Sequence, residues 1–209
     1  MFPALYAILD AGALPDGNFA LAAKLARAGV ELIQLRDKHA SARKIYDISL
    51  RWSRELPQRG VRMILNDRPD IAAMTHAGGV HVGQEDLPVE IARSLVGEER
   101  WVGVSTHNLE QLREAALTSA DYIAVGPIFA TTTKQNPDPV VGLELIRAAR
   151  RLTKKPLVAI GGITIESAEA VFQAGADSVA VARDLLTAGD PSKRAREYLD
   201  AAKVRAQGN

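Results

Sequence analysis

The sequence predicts an α/β protein folded as one (β/α)8 TIM barrel spanning residues 1–209 as a single catalytic domain. Three observations carry this. Short β-branched runs alternate with amphipathic stretches from end to end, the strand-like runs number eight, and no G-x-G-x-x-G follows the first of them. Parallel strands need a crossover, which a helix supplies. An open dinucleotide-binding sheet would carry the missing glycine fingerprint. At 209 residues the chain is close to the lower limit of ~200 for such barrels, so insertions are few.

The first strand is expected over Ala4–Asp10, and a helix over Asn18–Ala28 carries it to a second strand, Leu32–Asp37. A helix at Ser41–Leu56 precedes the third strand, Arg62–Asp67, and the fourth is Gly79–Gly83. The fifth strand, Trp101–Thr106, leads through a helix at Asn108–Ser119 to the sixth, Tyr122–Pro127. Helices at Gly142–Leu152 and Ser167–Ala174 flank the seventh, Pro156–Gly162. The eighth, Ser178–Arg183, runs into a helix near Asp184. Asn18, Ser41 and Asn108 are expected N-caps, because a short side-chain oxygen satisfies the open N–H groups of a first turn. Gly29, Gly78 and Gly175 are expected to stop helices by taking the left-handed backbone conformation. Alternation predicts Gly79, His81, Gly83, Gly103, Ser105, Ala124, Gly126, Ala159, Gly161, Ala180 and Ala182 inside the barrel, with Val80 and Val82 facing the helices. Small inward residues would leave room for a ligand near the mouth; close packing of the barrel's own layers explains the lower ones equally well.

Composition narrows the function classes. Twenty-six basic against 25 acidic residues leave no electrostatic footprint for nucleic acid or an anionic membrane. The absence of cysteine excludes disulfides, thiolate nucleophiles and cysteine-ligated zinc. No apolar run approaches the ~20 residues that span a bilayer, and Met1–Asp10 lacks a signal-type pattern, so a cytoplasmic enzyme is expected.

In this fold the active site is built from the loops after the strands. After strand two, Gln34, Arg36 and Lys38 alternate, and apolar Ile33 and Leu35 turn all three toward the axis or the mouth. Two cations there call for an anionic ligand, or else for an internal salt bridge to Asp37 or a neighbouring acid. Asp67 and Asp86 follow strands three and four; with the cations they suggest a magnesium ion between carboxylates and phosphate. Read singly, Asp86 would cap the helix starting near Pro88 and Asp67 would pair with Arg68. The long segment after strand six, with Thr131, Thr132, Thr133 and Lys134, offers hydroxyls and a cation to phosphate oxygens, or is an ordinary solvated loop. Gly161-Gly162 and the turn at Ala182-Arg183 occupy the place where such barrels bind phosphate through backbone N–H groups. Of the histidines, His39 and His76 read as exposed and His81 as a hydrogen-bonded core residue. His107, after strand five, is the one candidate acid or base.

With these residues placed, the chain resembles the thiamine-phosphate synthase family from strand one to strand eight. The motifs are Gln34-Leu35-Arg36-Asp37-Lys38, Asn66-Asp67, His81-Val82-Gly83-Gln84-Glu85-Asp86, Gly103-Val104-Ser105-Thr106-His107, Gly126-Pro127-Ile128-Phe129 with Thr131 to Lys134, and Gly161-Gly162-Ile163. Each is short, but six in order at strand ends are specific together. The resemblance implies coupling of a pyrimidinylmethyl diphosphate to a thiazole phosphate, with release of pyrophosphate and Mg2+ as cofactor. It implies that Gln34 touches the pyrimidine, that Arg36, Lys38, Asn66, Ser105 and Lys134 hold the diphosphate, and that Asp67 and Asp86 bind the metal. Thr131 and Thr133 would position the thiazole phosphate, and Gly162 with the backbone at Ala182 and Arg183 would bind it. Arg36, Ser105 and Lys134 would be catalytic. The partners implied are these two small molecules, with neither nucleic acid nor membrane; a homo-oligomer is allowed. Arg183 departs from the family's usual small serine, so the binding expected there rests on the backbone. Rival readings are a thiazole tautomerase using His107, a Schiff-base aldolase, which lacks its lysine on strand six, and a silent phosphate-binding barrel.

Overall fold

The computed structural model describes residues 1–10, 18–131 and 139–207. Eight parallel strands close into a barrel in sequence order: β1 (Leu5–Asp10), β2 (Leu32–Arg36), β3 (Arg62–Asn66), β4 (Gly79–Val82), β5 (Trp101–Thr106), β6 (Tyr122–Val125), β7 (Leu157–Ile160) and β8 (Ser178–Val181). β8 pairs with β1, so no edge is left open. The helices between them are α1 (Phe19–Arg27), α2 (Ala42–Glu55), α3 (Pro69–Met74), α4 (Val89–Val96), α5 (Leu109–Leu117), α6 (Gly142–Leu152) and α7 (Ile165–Gln173). After β8 come a one-turn helix, α8 (Arg183–Leu186), and a long one, α9 (Pro191–Gln207). No helix among the described residues is long and apolar enough to cross a membrane.

The three expected caps form. Asn18, Ser41 and Asn108 accept from the backbone N–H of Leu21, Lys44 and Gln111 at 2.9–3.3 Å. Gly29 and Gly175 take positive φ as expected, but Gly78 does not; the turn after α3 is made instead at His76, with φ 55°. The helix expected to begin at Ser167 starts earlier, at Ile165. Ser167 forms a reciprocal capping box with Thr164.

Two packed layers divide the strand side chains. The outer layer, toward the helices, includes Leu5, Ala7, Val80, Val82, Val102, Val125 and Val179. The inner cluster is Tyr6, Ile8, Leu32, Ile64, Tyr122, Ala124, Val158 and Ala180, with Ile160 and Ala182 against it. This corrects the expected parity of β7. Val158 pairs with Ala124 and Ser178 and so faces inward, while Ala159 pairs with Val125 and Val179 and faces the helices. Gly103 is fixed by packing, because a Cβ there would lie 2.0 Å from Cζ of Tyr122.

The bottom of the barrel is closed by two joints of the same design. Arg93 of α4 donates to the Gly97, Arg100 and Ser119 carbonyls and to the Asp121 carboxylate, which accepts from Val102 N–H at 2.6 Å. Arg150 of α6 donates to the Thr153 and Lys155 carbonyls and to Asp177, which accepts from Leu157 N–H at 2.9 Å. Each arginine satisfies loop carbonyls that would otherwise lack partners and ties them to the start of a strand.

Candidate active site

Among the described residues, strand direction brings the expected ones to one end of the barrel. Asp10 and Arg36 are register partners at the tops of β1 and β2, and their side chains form an ion pair. Lys38 reaches Asp67 at 3.5 Å across the next loop. Of the salt bridges that sequence alone allowed, Arg36 makes the one to a neighbouring acid, Asp10, and not to Asp37, which accepts from the His39 and Ala40 N–H groups and lies 3.7 Å from Lys44. Both cations of the trio are neutralised by acids of the mouth itself.

The two acids after β3 and β4 come together. Asp67 leaves β3 at φ 61°, a left-handed conformation that aspartate tolerates better than most side chains, and its N–H donates to the His81 carbonyl at 2.8 Å. Asp86 turns back so that Oδ2 accepts from Gly83 N–H at 2.7 Å. Burial, and next the neighbouring Asp86, push the Asp67 carboxyl up from 3.8 to about 6, against the opposing pull of Lys38. Neither single role suggested by sequence applies: the N-cap of α4 is Pro88, and Arg68 pairs with Asp70 at 2.6 Å. No group of three or more metal-type ligands occurs among the described residues. Two crowded carboxylates are nevertheless the donor set that magnesium takes when phosphate and water complete its shell. The residues present fit that ion.

Below this charged rim lies a chain of hydrogen bonds that sequence reading did not anticipate. Gln34 Nε2 donates to the Tyr6 hydroxyl at 2.7 Å, and Tyr6 lies 3.1 Å from the Tyr122 hydroxyl. Tyr122 lies 3.1 Å from His81 Nδ1, and His81 Nε2 lies 2.9 Å from Ser105 Oγ. The Gln34 amide nitrogen can only donate, whereas each hydroxyl carries one proton and two lone pairs, so either tyrosine can donate to the other and the His81 tautomer decides the last two links. Burial pushes both tyrosines well above their ordinary value, so they stay neutral donors. Period-two alternation placed Tyr122 and His81 on strands, but a buried aromatic at a strand position reads as core; only the tertiary packing lines the three up.

Asn66 ends β3 and pairs with His81. Gln84 donates to the Ser105 carbonyl at 2.6 Å, securing the β4 loop on β5. Thr131 is the last described residue of the β6 loop; Thr133 and Lys134 lie outside the described residues. The β6 and β7 loops touch: Phe129 N–H donates to the Gly161 carbonyl at 3.0 Å, and a Cβ on Gly162 (φ 64°) would meet the Ala130 carbonyl at 2.4 Å. Ala182 caps α8, whose first residue, Arg183, is exposed. His107 Nδ1 lies 2.6 Å from the Gly126 carbonyl and therefore donates to it. His39 and His76 belong to the surface and His81 is a hydrogen-bonded core residue, as expected.

Comparisons with known proteins point the same way. Residues 5–185 match the family model for thiamine monophosphate synthase. The chain is 53% identical over 202 residues to the thiamine-phosphate synthase of Koribacter versatilis, covering 94% of each, and 43% identical over 195 residues to that of Chloroflexus aurantiacus, covering 92% and 89%. It superposes with a TM-score of 0.86 on the thiamine phosphate pyrophosphorylase of Pyrococcus furiosus, at 31% identity over 97% of this chain and 96% of that one.

Proposed function

This chain belongs to the thiamine monophosphate synthase family, and on that premise we propose that it joins a 4-amino-2-methyl-5-pyrimidinylmethyl diphosphate to a thiazole phosphate, giving thiamine phosphate and pyrophosphate. It is a transferase. The observation that carries the reading is the pairing of Asp67 and Asp86 beside Lys38 and Arg36 at the mouth, a balance of charge suited to a cation and a diphosphate arriving together. Asp67 and Asp86 would hold Mg2+, which when bound would stabilise negative charge on the leaving diphosphate.

The protein's own groups act around the bond that breaks. Gln34, one end of its amide held by Tyr6, presents the other to the pyrimidine. Arg36, Lys38, Asn66 and Lys134 take the diphosphate oxygens, and Ser105, whose Oγ lies 2.9 Å from His81 Nε2, adds its hydroxyl. As the C–O bond opens, the electron pair stays with pyrophosphate and the pyrimidinylmethyl carbon becomes cationic. Arg36, Ser105 and Lys134 stabilise the charge that develops on the leaving group, and no protein nucleophile takes part. On the far side Thr131, Thr133, Gly162 and the backbone at Ala182 and Arg183 hold the thiazole monophosphate so that its ring nitrogen faces the cation. With no protein transfer step, orientation and charge supply the catalysis. The whole chain would form one catalytic domain working in the cytoplasm.

The tautomerase and the silent barrel are not favoured. The matched relatives carry the synthase name over nearly the whole chain. The test is to mix purified protein with both phosphorylated substrates and Mg2+ and assay thiamine phosphate and pyrophosphate. Both should appear in equal amounts; absence of both rejects the reading.

A further inference from the structure

The one-turn helix α8 cannot hold itself, since a single turn fixes several backbone dihedrals for very few hydrogen bonds. It is held from behind by α9. Arg194 Nη1 donates to both oxygens of Asp184, at 2.8 and 2.7 Å, and its Nε lies 2.9 Å from Glu197. One turn further along α9, the buried Tyr198 donates its hydroxyl proton to Asp184 Oδ2 at 2.8 Å. The same phenol oxygen lies 3.4 Å from the carbonyl of Ile163, the residue that follows Gly162. A single hydroxyl therefore sits against both the β7 loop and the β8 loop. Those are the two backbone segments that form the monophosphate cradle in the function proposed above, on which this inference rests.

We propose that Tyr198 is a positioning residue for the monophosphate substrate: its phenol oxygen, bonded to Asp184 and in contact with the Ile163 carbonyl, sets the distance between the two halves of the cradle. Backbone donors bind phosphate only when they converge on it, so the spacing of the loops sets affinity. Burial, with Asp184 as the next cause, pushes the phenol above its ordinary value, so it remains a donor at any working pH. A tyrosine that merely filled space would need no acid beneath it. Here the acid also takes two bonds from Arg194, which leaves Tyr198 one defined place to donate. The diphosphate side of the mouth, from β2 to β5, is built from other strands and other side chains, so the two substrates should respond differently to the loss of this cluster.

Tyr198→Phe keeps the ring and removes the hydroxyl. Loss of one charge-assisted hydrogen bond predicts a KM for thiazole phosphate raised about tenfold, with kcat and the KM for the pyrimidine diphosphate within about twofold of the parent. Asp184→Asn should give the same split, and it carries the test if the phenylalanine variant is unfolded at the assay temperature. Equal rises in both KM values, or no rise in either, in a variant that melts as a folded protein would overturn the proposal. Calorimetric titration with thiazole phosphate alone separates this inference from the reading of function. If the parent forms no product yet binds the monophosphate, an unchanged Kd in Tyr198→Phe still overturns it; if the parent binds none, the cradle and the inference fall together.

Discussion

Replacing Asp67 with asparagine should make the metal-free protein more stable at neutral pH while abolishing its function. The backbone at 67 has φ 61°, a region asparagine occupies readily, and the bond from its N–H to the His81 carbonyl is unaffected. What changes is charge. Burial first and Asp86 second raise the Asp67 carboxyl from 3.8 to about 6. The folded protein thus keeps a proton that the unfolded chain has already released, and stability falls as pH rises from about 3.8 to about 6, levelling off above that. Such a displacement corresponds to about 3 kcal/mol in full. The side chain is 23% exposed, so solvent screening brings the expected loss to about 2 kcal/mol. The ion pair with Lys38 offsets less than about 1 kcal/mol, because that lysine is 49% exposed and the pair is 3.5 Å apart. An asparagine at this position cannot titrate, so the variant should melt roughly 3–6 °C above the parent at about pH 7.5 in chelator, and together with it near about pH 4. The measurement is the difference between the two thermal or urea unfolding curves across that range, which cancels the other carboxylates. Millimolar Mg2+ should then raise the parent's melting point and leave the variant's unchanged. A difference independent of pH, or a variant less stable than the parent at neutral pH, would refute the reasoning.

Other outcomes follow from the same geometry. Asp86→Asn and Lys134→Ala should each lower turnover by orders of magnitude while keeping the parent's circular dichroism; near-normal rates would remove their assigned roles. Tyr6→Phe removes the hydroxyl that joins Gln34 to Tyr122 and should lower kcat/KM for the pyrimidine diphosphate about tenfold, with KM for the thiazole phosphate unmoved. Gly103→Ala drives a methyl into the Tyr122 ring and should cost at least about 1–3 kcal/mol in denaturant unfolding. Asp121→Ala leaves the Arg93 guanidinium buried without its acid and should cost about 3–5 kcal/mol, with KM values unchanged in protein that remains folded.

Strand identity was legible because β-branched residues cluster in short runs, and the polar residues at the ends of those runs marked the mouth. Gln34, Arg36, Asp67, Asp86 and Ser105 stand at or just beyond such strand ends, and all lie toward one end of the barrel. The parity of β7 was not legible. Alternation groups Ala159 with Gly161 and Val158 with Ile160 but does not say which pair faces the axis, and the register with β6 and β8 turns Val158 and Ile160 inward. Asp10 is an ordinary strand end by sequence, because nothing local says that its register partner is Arg36. Tyr6, Tyr122 and His81 are far apart in sequence and each is ordinary alone; closure of the barrel makes them neighbours. Tyr198 and Asp184 met the same obstacle, with the added one that their contact depends on where α9 docks.

The hydrogen-bonded run from Gln34 to Ser105 draws on five different strands, β2, β1, β6, β4 and β5, and passes through the barrel interior. Its members share protons, so losing one hydroxyl leaves its neighbours short of a partner and is felt beyond its own strand. Barrel closure and the polar interior are thus mutually dependent: a substitution that opens the seam between any two of these strands also breaks the run.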